Sequence, residues 1–208
     1  MPVDLRDLLE PSRAAVLVME CQEGIVGGGG RLGALADAVA RHGTIPHIAR
    51  VLAAARRARV PVFHCTVARR ADGGGAVVNC LLLAATKRGT PLLPGSPQQA
   101  VVAALAPADG DYVLTRFHGL TPFHGTELDP LLRNLGVRTV VATGVSVNVG
   151  VLGLTLDAVN AGYQVVIPRE AVTGVPDAYV EAVFEHTLKL LATIAPVEQV
   201  VAAWSAHG

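Results

Sequence analysis

The chain alternates short apolar runs with segments of helical periodicity. The six apolar residues Ala14–Met19 lack any polar alternation, which is typical of a strand buried on both faces. Between 44 and 59 the apolar residues recur every three or four positions, which predicts a helix capped by Thr44. The same patterns predict further strands at 60–66, 111–116, 138–143 and 163–167, further helices at 126–134, 146–161 and 177–191, and a last strand and helix.

Strands that alternate with helices favour right-handed crossovers and a parallel sheet covered on both faces. We therefore predict an α/β fold with three α/β/α layers, Rossmann-like, around a central parallel sheet of six strands. It forms a single domain over 1–208, with an irregular insertion at about 67–96 that serves as a lid or an interface arm. Ligands bind such sheets at the carboxyl ends of the strands, which selects Glu20, Thr66, Arg116 and the turn 144–150.

Composition narrows the function classes. Hydrophobic residues make up 51% and charged residues 16%, so the core is large, and we expect a second copy to cover apolar surface in a homodimer or higher homo-oligomer. The net charge of zero argues against nucleic acid as a partner. Three cysteines without a CxxC pair, and a charged N-terminal segment unlike a signal peptide, predict a cytoplasmic protein. Glycine and polar residues interrupt the uncharged run 139–156, so we expect no membrane span.

Several motifs allow two interpretations. Gly28, Gly30 and Gly33 match a dinucleotide-binding pattern by letter, but they begin about eight residues after the first strand, so we expect a mobile loop and no cofactor. No G-x-S-x-G elbow is present. His64 and His118 either line a pocket or serve the structure, and no histidine pair has metal-ligand spacing on one helix, so we expect no metal.

The two charged residues at strand ends carry the chemistry. Glu20 follows a buried strand, where a carboxylate is costly unless it is paired. Arg116 ends the third strand and is its natural partner. The pair is either a structural ion pair or part of a pocket in which the carboxylate acts as acid or base.

The sequence VLVMECQEG resembles the first-strand motif of the isochorismatase-like hydrolases, the cysteine hydrolase superfamily, in which Asp-x-Gln follows apolar residues. The segment from VLTRFHG to REAVTG is similar to the family's central stretch in order and spacing. The resemblance spans roughly residues 13–175 and implies the isochorismatase-like fold. It places Glu20, Arg116 and Gly150 at the catalytic positions that the family fills with Asp, Lys and Cys.

These substitutions change the chemistry that the resemblance implies. Gly150 offers no thiol, as in true isochorismatases, which hydrolyse a vinyl ether by protonation and without a covalent thiol. Glu20 keeps a carboxylate with a longer reach and would act as acid or base. Arg116 keeps the cation but cannot lose its proton, so it would clamp an anion. The resemblance also implies a cis peptide between Val145 and Ser146, with the N–H groups of Ser146 and Gly150 as oxyanion donors.

Predicted ligand contacts come from these motifs and from strand-end positions: Gln22, His64, His118, Phe123, Val145 and Ser146. Cys21 and Cys65 are either substitute nucleophiles or small buried hydrophobic residues. Three functions stay open: a small-molecule hydrolase without a cysteine nucleophile, a catalytically impaired relative that binds a small molecule or forms an oligomer, and a nucleotide-binding oxidoreductase.

Overall fold

The computed structural model describes residues 4–28, 33–87 and 91–205. The strands are β1 Ala14–Met19, β2 Val62–Val67, β3 Tyr112–Arg116, β4 Thr139–Val145, β5 Gln164–Pro168, β6 Val172–Thr173 and β7 Thr193–Ala195. The helices are α1 Leu5–Leu8, α2 Glu23–Val26, α3 Gly33–Arg41, α4 Thr44–Arg57, α5 Leu81–Lys87, α6 Leu128–Asn134, α7 Leu152–Asn160, α8 Asp177–Val183, α9 Lys189–Leu191 and α10 Val197–Ser205. Two wide π-helical turns, Val147–Val151 and Phe184–Leu188, precede α7 and α9.

The sheet has the predicted parallel arrangement. Six strands lie in the order β3-β2-β1-β4-β5-β7, and the two-residue β6 pairs with the carboxyl end of β4. Every ladder is parallel. The α/β fold predicted from the sequence is confirmed, with the short β6 as an addition.

Two hydrophobic clusters lie on the opposite faces of the sheet. Alternation along β1 sends Val16 and Val18 into one cluster and Ala15 and Leu17 into the other. The first cluster includes residues of α3, α4 and α10, and the second includes residues of α6, α7 and α8. This double burial explains why β1 reads as an unbroken apolar run.

The carboxyl ends of β1 and β4 approach each other closely. Met19 pairs with Gly144, whose φ is +100° and whose absent side chain would collide with the backbone of Met19. Glycine is therefore required at this position. Beyond it the two strands diverge, and the residues that follow them, Glu20 and Ser146, line the candidate site.

Candidate functional site

A cavity of about 400 Å³ opens at the carboxyl edge of the sheet. This volume is within the range of small-molecule sites. The sheet edge and the segments that follow it contribute Glu20, Val67, Arg116, Gly119, Leu120, Ser146, Asn148, Val149, Gly150 and Val175. The insertion and the region of α2 and α3 contribute Ile25, Gly33, Ala34, Leu35, Arg69, Leu82, Leu83, Thr86 and Leu92.

Glu20 and Arg116 form an ion pair in this cavity. Arg116 Nη2 donates to Glu20 Oε1, and Arg116 Nε donates to the carbonyl oxygen of Gly119 at 3.4 Å. The Arg116 side chain is 3% exposed and that of Glu20 is 20% exposed. Within the described chain, Arg116 Nη1 is buried without a hydrogen-bond partner, and no partner contacts Glu20 Oε2. The pair is therefore joined by one arm of each group.

Glu20 occupies an unusual backbone conformation. Its φ of +52° is in the left-handed region, which costs a residue with a side chain roughly 1–2 kcal/mol. Its N–H donates to the carbonyl of Cys65 at 3.0 Å, and its carbonyl accepts from the N–H of Gln22 at 2.9 Å. The chain therefore turns immediately after β1, where the carboxylate reaches the cavity. Such conformations cluster at functional sites.

Gly150 lies in the wide turn between β4 and α7. The peptide between Val145 and Ser146 is cis, as the resemblance implied. A Cβ on Gly150 would lie 2.8 Å from the carbonyl oxygen of Val145 and 3.1 Å from the terminal methyl of Met19. The absence of a side chain is therefore built into the local packing, and a residue with a Cβ requires the backbone to shift.

The structure brings four predicted residues to the cavity: Glu20, Arg116, Ser146 and Gly150. Gln22, a predicted ligand contact, is instead fully buried. Its Nε2 donates to the carbonyls of Val67 and Gln99 at 2.9 and 2.8 Å, and its Oε1 accepts from the N–H of Val67 at 2.8 Å. The Gln22 amide thus holds the beginning of the insertion at Val67, and the segment just after it at Gln99, against the end of β1.

His64 is also corrected from ligand contact to structural residue. It is 1% exposed within β2, three residues before the strand ends, so it cannot reach the edge. Its Nε2 lies 3.2 Å from Asp111 Oδ2, which also accepts from Arg56 at 2.5 Å. Burial lowers the pKa of His64 and outweighs the attraction of Asp111. The pKa of Asp111 is lowered as well, because hydrogen bonds from Arg56, the Ala108 N–H and His64 outweigh its burial.

Three more predicted contacts lie outside the cavity lining. His118 is exposed on the loop after β3, close to Gly125. The ring of Phe123 faces that of Tyr163, with centroids 6.1 Å apart. Val145 is fully buried in the first hydrophobic cluster, so its side chain belongs to the core although its peptide borders the site. Apolar packing directs the side chains of Phe123 and Val145, which the sequence motifs did not reveal.

The cysteines match the hydrophobic interpretation. Cys21 and Cys65 are buried, and burial raises the pKa of each thiol to about 12. A thiol with so high a pKa supplies almost no thiolate at neutral pH. Cys80 is exposed and lies outside the cavity lining. Neither buried cysteine therefore suits the role of substitute nucleophile.

The cavity contains residues that sequence reasoning missed, chiefly Arg69, Thr86 and Asn148 with the leucines of the insertion. Arg69 Nη2 donates to Thr86 Oγ1 at 2.7 Å, and the Arg69 N–H donates to the carbonyl of Leu92 at 2.8 Å. The ARR sequence directly after β2 was the available signal for Arg69. The leucines of α5 lie in a segment without a clear helical period.

Metal-binding clusters and membrane-spanning helices are both absent from the described residues. Within 4–28, 33–87 and 91–205, no group of three or more His, Cys, Asp or Glu side chains is placed to hold a metal ion. Gly30 of the glycine motif lies outside these ranges, whereas Gly33 begins α3 and lines the cavity. No helix in the described part of the chain is both long and apolar enough to cross a bilayer.

Comparison with known proteins places this geometry in a family. The sequence matches the isochorismatase domain over residues 14–199, which includes every strand and the charged pair of the cavity. The chain belongs to the isochorismatase family. The match begins at the first residue of β1 and ends within α10, so the whole central sheet of this isochorismatase-family protein is covered.

Relatives of this isochorismatase-family chain include amidohydrolases. Ureidoacrylate amidohydrolase of Rhizobium rhizogenes is 30% identical over 213 residues, covering 95% of this chain and 85% of that protein. N-carbamoylsarcosine amidase of Arthrobacter is 32% identical over 129 residues, covering 62% of this chain and 48% of that protein. The second alignment thus spans about half of the amidase.

Solved structures agree with the fold. An isochorismatase family protein from Desulfovibrio vulgaris is 28% identical, with a TM-score of 0.80 over 92% of this chain and 98% of that chain. A cysteine hydrolase from Pseudomonas syringae has a TM-score of 0.82, covers 100% of this chain and 97% of that chain, and is 23% identical. The latter likeness concerns the fold alone.

Proposed function

We propose that this protein is a hydrolase that cleaves a carbonyl-centred bond of a small molecule without a cysteine nucleophile. The observation that carries the proposal is the Glu20–Arg116 pair itself. It is joined at the carboxyl edge of the sheet, yet it opens onto a cavity large enough for a ligand beside Gly150. A pair closed off in a dry core would have favoured a purely structural role.

Glu20 is the proposed base. Its Oε2 accepts no hydrogen bond from a described residue, whereas Oε1 accepts from Arg116. In the proposed step, a water oxygen attacks the carbonyl carbon of the substrate while Glu20 accepts the proton that the water loses. The leaving amine then takes that proton as the carbon–nitrogen bond breaks, which yields an acid and an amine and regenerates the carboxylate.

Arg116 is the proposed clamp. A guanidinium keeps its proton in proteins, so Arg116 cannot shuttle protons as a lysine can. It holds Glu20 through Nη2, while Nη1 has no hydrogen-bond partner in the described chain. The N–H groups of Ser146 and Gly150 are the proposed donors to the oxyanion that develops on the carbonyl.

In this proposal, Glu20, Arg116 and Gly150 stand at the family's Asp, Lys and Cys positions. Their meeting at one cavity supports this correspondence, as does the match over 14–199. The names of the amidohydrolase relatives support an amide or carbamoyl compound as substrate. The tight packing around Gly150 leaves little room for a side chain there, which supports a site that works without a thiol at this position.

The proposal is tested by hydrolysis of a panel of small primary amides and carbamoyl compounds, followed by ammonia release. We expect turnover by the unmodified protein and a loss of at least about 10²-fold in Glu20→Gln, because a general base contributes that much. Glu198→Gln is the matched control, since Glu198 is 73% exposed and pairs with Arg50 on the surface. Equal turnover in Glu20→Gln and the control contradicts the assignment.

A binding protein without catalysis is the second candidate. The observation in its favour is the lack of both a thiol and a titratable lysine at an otherwise intact cavity. It predicts that ligands bind with Arg116-dependent affinity and that no panel member is hydrolysed. Hydrolysis that disappears in Arg116→Ala contradicts it.

A further inference from the structure

Arg69 is half-buried, and no carboxylate among the described residues forms an ion pair with it. Four arginines in the described ranges are buried or half-buried, and three of them pair with a carboxylate: Arg56, Arg116 and Arg169. Arg69 is half-buried in the cavity wall, and its one side-chain bond in the described chain is to the hydroxyl of Thr86. Such a guanidinium has several donors left, and their natural partner is an anion.

The charged residues that line the cavity determine how much negative charge a bound ligand needs to balance them. Glu20, Arg69 and Arg116 are the charged residues among the described lining, which sums to one excess positive charge. Glu20 already occupies one arm of Arg116. A ligand with one negative charge therefore balances the cavity and places that charge at Arg69.

The rest of the wall around Arg69 is apolar. The insertion contributes Leu82, Leu83 and Leu92, and the region of α2 and α3 adds Ile25 and Leu35. Leu83 also supports the polar site, because its carbonyl accepts from the Thr86 hydroxyl at 3.1 Å, which leaves the hydroxyl oxygen to accept from Arg69. The ligand thus meets one cation on a largely hydrophobic surface.

From these observations we propose that Arg69, held in place by Thr86, forms a monoanion subsite, and that the substrate is a monocarboxylate with an apolar body. The carboxylate binds Arg69, the apolar body lies against the leucines of the insertion, and the bond to be cleaved lies at Glu20 and Gly150. The inference rests on the proposed function for the last of these statements. It gives the insertion a role in selecting the substrate.

Equilibrium binding, measured by NMR titration of the full chain, tests the subsite without turnover. The probes are hexanoate, its neutral and non-hydrolysable counterpart hexan-1-ol, and hexyl phosphate as a more highly charged anion. We expect Arg69→Gln to weaken hexanoate binding at least about 10-fold, the worth of a hydrogen bond to a charged group, while hexan-1-ol binding stays unchanged. Arg69→Lys keeps the charge and is expected to retain part of the affinity.

Arg70→Gln is the matched control. Arg70 adjoins Arg69 in sequence but is 61% exposed and pairs with Asp72, outside the cavity lining. We expect it to leave all three affinities unchanged. The proposal is overturned if hexanoate binds Arg69→Gln as well as the unmodified protein, or if hexan-1-ol binds the unmodified protein as tightly as hexanoate. Tighter binding of hexyl phosphate overturns the carboxylate assignment.

The two proposals fail separately. Arg69-dependent hexanoate binding without hydrolysis of any amide supports the subsite and contradicts the hydrolase. Glu20-dependent hydrolysis with hexanoate binding that is indifferent to Arg69 supports the hydrolase and contradicts the subsite.

Discussion

The substitution Glu20→Gln tests the electrostatics of the cavity. It removes one negative charge and nearly preserves side-chain shape. Arg116 then keeps its charge at 3% exposure and is left with neutral acceptors, the new amide oxygen and the carbonyl of Gly119. The variant therefore isolates the cost of leaving a buried guanidinium without its carboxylate.

The magnitude follows from burial. Removing one partner of a fully buried ion pair costs about 3–5 kcal/mol. Glu20 is 20% exposed and faces a cavity that admits water, so we expect a smaller loss of about 2 kcal/mol in the free energy of unfolding. Arg116→Met removes the buried charge instead, so adding it to Glu20→Gln is expected to recover part of the loss.

Urea unfolding at neutral pH measures these values. The control is Glu198→Gln, which breaks the exposed pair with Arg50 and is expected to change stability by less than about 1 kcal/mol. The double variant with Arg116→Met closes a thermodynamic cycle and gives the coupling energy. If Glu20→Gln is no less stable than the control, or if the coupling is zero, Arg116 does not depend on Glu20 and the reasoning is wrong.

Four further predictions concern packing, pH and buried hydrogen bonds. Gly150→Ala places a Cβ 2.8 Å from the carbonyl oxygen of Val145, so it should lower stability by about 1–3 kcal/mol in urea, and unchanged stability would refute the tight packing. Since the pKa of His64 is lowered in the folded state, the unfolded chain binds the proton first, and the free energy of unfolding should fall as the pH drops below about 6.5. The variant His64→Gln should show a weaker dependence of stability on pH. Equal pH dependence in the variant and the unmodified protein would exclude His64 as the cause. Asp111 adds a further loss near and below pH 4, because its lowered pKa stabilises the fold above that range. Gln22→Met leaves the main-chain partners of Gln22 at Val67 and Gln99 unpaired and should lower the free energy of unfolding by about 3 kcal/mol. No change in the urea midpoint would contradict the structural role of these hydrogen bonds.

The parallel sheet was predictable because its strands are buried on both faces. The apolar run Ala14–Met19 coincides with β1, since no polar face interrupts it. By contrast, β6 has two residues and pairs with the end of β4, which is too short for any periodicity. The predicted helix at 146–161 begins instead with the wide turn Val147–Val151, and backbone geometry of this kind leaves no mark on hydrophobic spacing.

The charged centre of the site was predictable, and its wall was not. Glu20 and Arg116 could be paired in advance because parallel strands bring their carboxyl ends to one edge. Gln22 follows β1 closely and His64 lies within β2, so both were also predicted at the site. Hydrogen bonds to Val67 and Asp111 instead direct them into the interior. Arg69 reaches the cavity because the insertion folds back over the sheet edge, which depends on tertiary contacts that a local pattern does not contain.

The central claim is that the cavity hydrolyses a small molecule through Glu20 and without a thiol. The most direct measurement is ammonia release from the amide panel after treatment with N-ethylmaleimide, comparing unmodified protein with Glu20→Gln. Since Cys21 and Cys65 are buried and Cys80 lies outside the cavity lining, alkylation should leave turnover intact, while Glu20→Gln should lose at least about 10²-fold. Turnover abolished by alkylation, or preserved in Glu20→Gln, would contradict the account.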